Sequence, residues 1–133
     1  MILLPQTTIA AAVAAQLSGV QYFQGALNSI LTLQATFAYG AGGTTTKAWV
    51  QTTFDGGATW MDIANFAFTT AAGKRLFNLI RGAAVTSIAT PTDGTLADNT
   101  VVNGFIGPAL RVKYTTTGTY TGATNLTIWG SPG

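Results

Sequence analysis

Four aspartates are the only acidic residues in this chain of 133 residues, which contains no Glu, His or Cys. They are Asp55, Asp62, Asp93 and Asp98. Paired carboxylates can hydrolyse glycosides, and carboxylates in a loop can bind Ca²⁺. The missing His and Cys exclude Ser-His-Asp and Cys-His catalysis, Cys/His zinc sites and disulfides. Because the four Asp do not assemble into a catalytic pair, we expect no enzymatic activity, no cofactor and no metal.

Residues 53–60, TFDGGATW, form the sharpest local motif and match the Asp-box pattern Ser/Thr-x-Asp-x-Gly-x-Thr-Trp/Phe. In such a β-hairpin the Asp accepts backbone N–H groups, the glycines take positive φ, and Trp packs the base into the core. Asp boxes of sialidase-like propellers lie away from the catalytic site, so we interpret this one as structural, with a carbohydrate contact as the alternative. The residues that carry the match are Thr53, Asp55, Gly56, Gly57, Thr59 and Trp60.

Two further aspartates fall in the turn-rich segment 91–99, PTDGTLADN. Asp93 precedes Gly94 and Asp98 precedes Asn99, so both are typical of solvated turns. A Ca²⁺ site made from the two carboxylates is the alternative. The three Trp residues fall in or beside predicted strands, where a core position is favoured over a sugar-binding platform.

The chain is unusually poor in charge, with 8% charged and 47% hydrophobic residues, 24 Thr and a net charge of +2. Only Lys74 and Arg75 are adjacent among the six basic residues, so no patch dense enough for nucleic acid is present. The apolar start lacks a charged leader region and is interrupted at Pro5, so neither a signal peptide nor a membrane span is predicted. A surface with so few charges favours a subunit that is packed in an assembly.

Alternating apolar and polar residues, rich in β-branched and aromatic types, predict an all-β chain. Short strands separated by turn signals are typical of a single antiparallel β-sandwich, jelly-roll or Ig-like, with about eight strands. The predicted strands are 29–39, 45–54, 59–68, 75–81, 84–90, 101–106, 109–116 and 123–129.

The sandwich is predicted over residues 20–133, with residues 1–19 as an N-terminal arm that contacts another subunit. The competing interpretation is a first strand or short helix packed on its own domain. Arg111 and Lys113 alternate with the apolar residues of their strand, so we expect them to point outward, where they either pair with partner carboxylates or are simply solvated. The apolar contacts offered by the arm are Ile2, Leu3, Leu4, Ile9, Val13 and Leu17.

Residues 48–130 resemble a family of small virion proteins of tailed phages and prophages. The first half is carried by Val50-Gln51, the Asp-box residues 55–60 and Asp62-Ile63-Ala64 with Phe66. The second half is carried by Gly107, the run Leu110-Arg111-Val112-Lys113-Tyr114, and Gly118-Thr119-Tyr120.

The resemblance implies a capsid decoration (cement) protein on the outer surface of an icosahedral particle. Its implied partners are the major capsid protein and further copies of itself in a homo-oligomer. A neck or tail component and a carbohydrate- or receptor-binding β-module remain alternatives.

Overall fold

The computed structural model of the chain describes residues 1–22 and 29–133, which form eleven strands and no helix. Apolar residues at every second position explain the regular strands: in β4 the side chains of Leu31, Leu33, Ala35 and Phe37 are buried in alternation. The strands are β1 Ile2–Thr8, β2 Val13–Leu17, β3 Gln21–Tyr22, β4 Ile30–Ala38, β5 Ala41–Gly42, β6 Thr45–Thr53, β7 Met61–Phe68, β8 Gly73–Ile80, β9 Ala109–Thr117, β10 Tyr120–Thr121 and β11 Asn125–Pro132.

Two antiparallel sheets make up the fold. The first sheet has the order β1-β11-β4-β8. The second has the order β2-β9-β6-β7, and β3 continues beside β9 beyond β2. The short strands β5 and β10 form a separate ribbon. β6 and β7 are a hairpin in the second sheet, whereas the chain changes sheet between β4 and β6 and again between β7 and β8.

One hydrophobic core joins the two sheets. Leu33, Phe37 and Ile128 of the first sheet belong to the same buried cluster as Val50 and Val112 of the second. The prediction of an all-β, antiparallel sandwich is therefore confirmed.

The N-terminal segment is part of this sandwich, so the prediction of an arm outside it is wrong for its first nine residues. β1 pairs with β11 along the edge of the first sheet. Leu3, Leu4 and Ile9 are almost completely buried in the common core. The consecutive residues Leu3 and Leu4 both reach it because the pairing of β1 with β11 shifts register between Ile2 and Leu4. These three residues therefore cannot contact another subunit while the domain is folded.

The rest of the predicted arm crosses to the second sheet, where β2 pairs with β9. Val13 is half-buried there, and Leu17 is 55% exposed. The alternative of a short helix over residues 10–15 is wrong as well, because β9 offers this segment a strand partner. Residues 1–17 thus bind the two sheets together.

The long connection between β8 and β9 is irregular, so the strands predicted at 84–90 and 101–106 are wrong. Only isolated bridges occur there, between Ala64 and Val101 and between Arg81 and Gly104. The segment instead covers the open edge of β7, where Asp62 N donates to the Thr92 carbonyl at 2.8 Å. Turn-forming Pro, Asp, Gly and Asn residues interrupt the alternation and leave the chain free to follow this edge.

Candidate functional site

Asp62 is the centre of a buried polar cluster between the second sheet and the connection that covers it. It lies on β7, is fully buried, and accepts hydrogen bonds with both carboxylate oxygens. Buried carboxylates require such compensation, because an unpaired charge in the interior costs several kcal/mol. The donors are Gln51 Nε2 at 2.8 Å, Thr92 Oγ1 at 2.9 Å, Gly94 N at 2.8 and 2.9 Å, Thr95 N at 3.0 Å and Leu96 N at 3.2 Å.

Gln51 connects Asp62 to the basic residues of the neighbouring strand. Its amide nitrogen also donates to Asp93 Oδ1 at 2.6 Å, and its amide oxygen accepts from Arg111 Nε at 2.8 Å. Lys113 Nζ lies 2.9 Å from the same Asp93 oxygen. Strand register explains this meeting, since Gln51 stands opposite Asp62 on one side and Arg111 on the other.

Hydrogen bonds, burial and neighbouring charges shift the pKa values of two members of the cluster. Hydrogen bonds from Gln51 and Lys113 hold the pKa of Asp93 below its ordinary value of 3.8. Burial lowers the pKa of Arg111, an effect that the charges of Asp93 and Asp62 oppose. The arginine stays protonated at any ordinary pH. Asp93, whose pKa is lowered, is a carboxylate at neutral pH, and its ion pairs with Arg111 and Lys113 tie the loop to β9.

This cluster is built to hold a loop rather than to perform chemistry, because internal donors occupy its carboxylate oxygens. The other acid of the loop, Asp98, forms an ion pair with Lys47 at 3.0 Å. In the described ranges 1–22 and 29–133 no three acidic side chains come together as metal ligands. Asp93 and Asp98 each form an ion pair with a lysine, Lys113 and Lys47 respectively. These ion pairs use the two carboxylates that the Ca²⁺ alternative would need as ligands.

Arg111 and Lys113 do point outward from the sandwich core, and the structure pairs both with a carboxylate of the same chain, Asp93. Their side chains are only 14% and 20% exposed and form ion pairs with Asp93 at 3.9 and 2.9 Å. Loop 91–100 covers this face of the sheet and supplies the carboxylate. Alternation alone indicated the outer face, but not the distant loop that covers it.

The Asp-box hairpin lies between β6 and β7. Asp55 Oδ1 accepts Thr59 N at 2.8 Å and Thr53 Oγ1 at 3.0 Å, and Thr53 Oγ1 accepts Gly57 N at 2.9 Å. The backbone N–H of Thr59 is the main cause of the lowered pKa of Asp55. Gly56 and Gly57 have φ of 72° and 96°, a region that favours glycine. These bonds close the turn and use its carboxylate internally.

The three Trp side chains have different surroundings. Trp60 is half-buried under the guanidinium of Arg111, 4.3 Å from the ring centre, so the expected core position is wrong. Trp49 is 6% exposed and donates its indole N–H to the Leu96 carbonyl at 3.0 Å, on the outer face of the second sheet. Trp129 is 44% exposed on the outer face of the first sheet. A sugar platform is therefore possible only at Trp129.

The outer face of the first sheet carries a row of exposed apolar side chains, which is the second candidate site. Ile2, Trp129, Gln34 and Leu76 are successive cross-strand neighbours. Ile2 and Leu76 are 43% and 58% exposed. The pair Ile30 and Ile80 adds a second exposed apolar spot on the same face, at 44% and 52%. We call this surface the apolar face.

Neither the Asp62 cluster nor the apolar face was predicted as a site. For the Asp62 cluster, the sequence does place Gln51 and Arg111 at outward positions of predicted strands. The loop that completes the cluster, however, begins about 30 residues after Asp62, so sequence alone does not bring it to these residues. The signal for the apolar face consisted of exposed apolar residues at outward positions of four separate strands, β1, β4, β8 and β11. That signal becomes readable only when the strand order is known.

No family model, curated protein or solved structure matches this chain significantly. Within the described part of the chain, no helix is long and apolar enough to cross a membrane.

Proposed function

We propose that this protein is a structural subunit of a tailed-phage virion, most simply a capsid decoration protein that stabilises the capsid lattice from outside. The observation that carries the proposal is the apolar face, the outer surface of the first sheet, on which Trp129 of the inner strand β11 is 44% exposed. Cores of protein interfaces are poor in charge and rich in aromatic side chains. The apolar face approaches this composition, since Lys74 is the one charged residue on its four strands that points outward, and its other outward residues include Thr32, Thr36 and Thr127.

Internal use of the acidic residues also supports a structural role. Asp62 and Asp93 fasten a loop, Asp98 pairs with Lys47, and Asp55 closes a hairpin. A particle subunit needs a rigid domain with an uncovered contact surface, and the sandwich provides both. The resemblance of residues 48–130 to small virion proteins points to the same role.

A binding assay on particles that lack the protein tests this proposal. The full chain is added to purified particles and its co-sedimentation is measured. We expect saturable binding that Trp129→Gln weakens by at least about tenfold, in the range of truncating a central interface residue. Ile88→Gln is the matched control, because Ile88 is 96% exposed but lies outside the first sheet. Equal binding by the two variants, or none by the unmodified chain, would overturn the proposal.

A carbohydrate-binding module is the second candidate, favoured by the groove beside Trp129. This groove has a volume of about 460 Å³, and amide, hydroxyl and ammonium groups surround the exposed indole. Aromatic faces with neighbouring polar groups suit sugar rings. Titration with oligosaccharides, followed by the fluorescence of Trp129 against the Trp129→Gln background, separates this candidate from the first. The lining residues are Ile2, Pro5, Gln6, Gln34, Thr36, Lys74, Thr127 and Trp129.

A further inference from the structure

β8 is an open edge of the first sheet, and its backbone is available for another strand. Among the residues that the structure describes, it pairs only with β4. Ile80 N donates away from β4, to Asn103 Oδ1 at 2.7 Å, whereas Arg81 N donates to Ser29 O on the β4 side. By the two-residue alternation of an antiparallel ladder, Lys74, Leu76 and Asn78 also direct their N–H and C=O groups away from β4.

The open stretch ends where the connection to β9 begins. Asn103 and Gly104 cover the C-terminal end of β8 through the bond to Ile80 and the bridge to Arg81. No strand of the described ranges 1–22 and 29–133 pairs with residues 74–78 on this side, a length of about 16 Å at the rise of a β-strand. This length accommodates a five-residue strand.

The net charge of the protein is concentrated at this edge. Lys47, Arg111 and Lys113 form ion pairs with Asp93 or Asp98, and the buried Asp62 lies in the same outer layer. The other three cations, Lys74, Arg75 and Arg81, all lie on β8 or directly after it, and none has an ion-pair partner in the described residues. The remaining charged residue, Asp55, lies at the tip of the β6–β7 hairpin.

These charges decide what kind of strand the edge accepts. Two copies of β8 placed side by side would bring their lysines and arginines together, and charges of this kind on an edge strand oppose self-pairing. An acidic strand would instead meet Lys74 on the apolar face and Arg75 on the opposite face. Leu76 is 58% exposed on the same face as Lys74 and offers an apolar contact to the added strand.

We propose that the β8 edge binds an extended, acidic segment of a partner protein, which adds to the first sheet as an antiparallel strand. Main-chain hydrogen bonds supply the binding, as in other cases of β-strand addition, and the two cations select for acidic sequences. This inference rests on the proposed function in one respect: only that function identifies the partner as a virion protein. The chemistry of the edge is independent of that identity.

The probe for the test is a blocked heptapeptide of alternating Asp and Val, added to the full chain. Amide hydrogen exchange by NMR should show new protection at Lys74, Leu76 and Asn78. All Asp side chains of this peptide face one side of the added strand, so they pair with Lys74 or with Arg75 but not with both. The same peptide with Asn in place of Asp should therefore bind about two- to fivefold more weakly, because one opposite-charge cross-strand pair is lost. Protection confined to other strands, or no binding of the acidic peptide, would overturn the inference.

Leu76→Pro and Leu76→Ala form a matched pair of variants. Proline removes the outward N–H but no bond to β4, a position at which edge strands tolerate it, whereas alanine keeps that N–H. Only the proline variant should lose the peptide-induced protection. Equal loss in both variants would show that the side chain, and not the backbone edge, binds the peptide. A dimer of the unmodified chain that Leu76→Pro converts to a monomer would instead identify a second copy as the occupant.

Particle binding separates this inference from the proposed function. If the unmodified chain binds particles and Leu76→Pro binds them equally well, the edge is not the contact, and the inference fails while the function stands. If the acidic peptide protects the edge but the chain does not bind particles, the function fails and the inference stands.

Discussion

Replacing Asp62 by Asn tests whether its carboxylate is what holds loop 91–100 on the second sheet. The substitution keeps the size of the side chain but turns one acceptor oxygen into an NH₂ donor. If this NH₂ occupies the position of Oδ1, it faces two donors, Gln51 Nε2 and Gly94 N. If it occupies the position of Oδ2, it faces Thr95 N and Leu96 N among others.

Either orientation removes at least two hydrogen bonds to the carboxylate, although in the Oδ1 orientation Gln51 Nε2 keeps Asp93 Oδ1 as an acceptor and Gly94 N keeps the remaining oxygen. A hydrogen bond to a charged group contributes about 1.5–3 kcal/mol, and its loss costs less where the donor keeps another acceptor. We therefore expect Asp62→Asn to lower the free energy of unfolding by about 2–5 kcal/mol, out of the roughly 5–15 kcal/mol typical of a domain. Urea denaturation followed by Trp fluorescence measures this change. Hydrogen exchange should also become faster at the amides of Gly94, Thr95 and Leu96.

Asp98→Asn is the matched control, because it makes the same chemical change in the same loop. Its ion pair with Lys47 is exposed, and exposed pairs contribute about 0–1 kcal/mol. If Asp62→Asn destabilised the protein no more than Asp98→Asn does, the carboxylate would not be what fastens the loop.

Three further predictions concern stability. The pKa of Asp93 is lowered in the folded protein, so the stability that its carboxylate contributes is present above the unfolded value of 3.8 and is lost as pH falls through the lower folded value. In a plot of melting temperature against pH, Asp93→Asn should therefore reduce the fall in melting temperature at acidic pH. An unchanged fall would contradict the assignment. Deletion of residues 1–9 removes three buried side chains worth about 1.5–3 kcal/mol each, so circular dichroism should show an unfolded chain rather than a folded domain lacking an arm. Gly107→Ala places a methyl group against the Thr53 carbonyl and should cost about 1–3 kcal/mol, whereas Gly19→Ala meets open space and should leave the denaturation midpoint within experimental error.

The alternation of apolar residues was sufficient to predict the main strands of the fold. β4, β6, β7, β8, β9 and β11 all overlap segments predicted from it. Sequence alone assigns β1 and β2 to an arm, because the alternating pattern begins only at residue 29 and a sandwich could close without them. Their burial depends on β11 and β9, strands that lie more than 90 residues away in the sequence.

The functional surfaces were harder to predict, because they depend on contacts between distant segments. Arg111 and Lys113 were correctly placed on the outer side of their strand, but not under a loop. Propensity likewise favoured strands at 84–90 and 101–106, whereas hydrogen bonds to the edge of β7 hold part of this connection in an irregular path. The Asp box differs from these cases, since its donors and acceptors lie within eight residues and local sequence is enough to specify them.

Quantitative mass spectrometry of purified particles, produced from the genome that encodes this chain, tests the proposed role most directly. The measured quantity is the ratio of this chain to the major capsid protein. A capsid decoration protein requires a fixed ratio that matches the capsid lattice, and that is the result we predict. A few copies per particle would assign the chain to the neck or tail, and its absence from the particles would contradict a structural role in the virion.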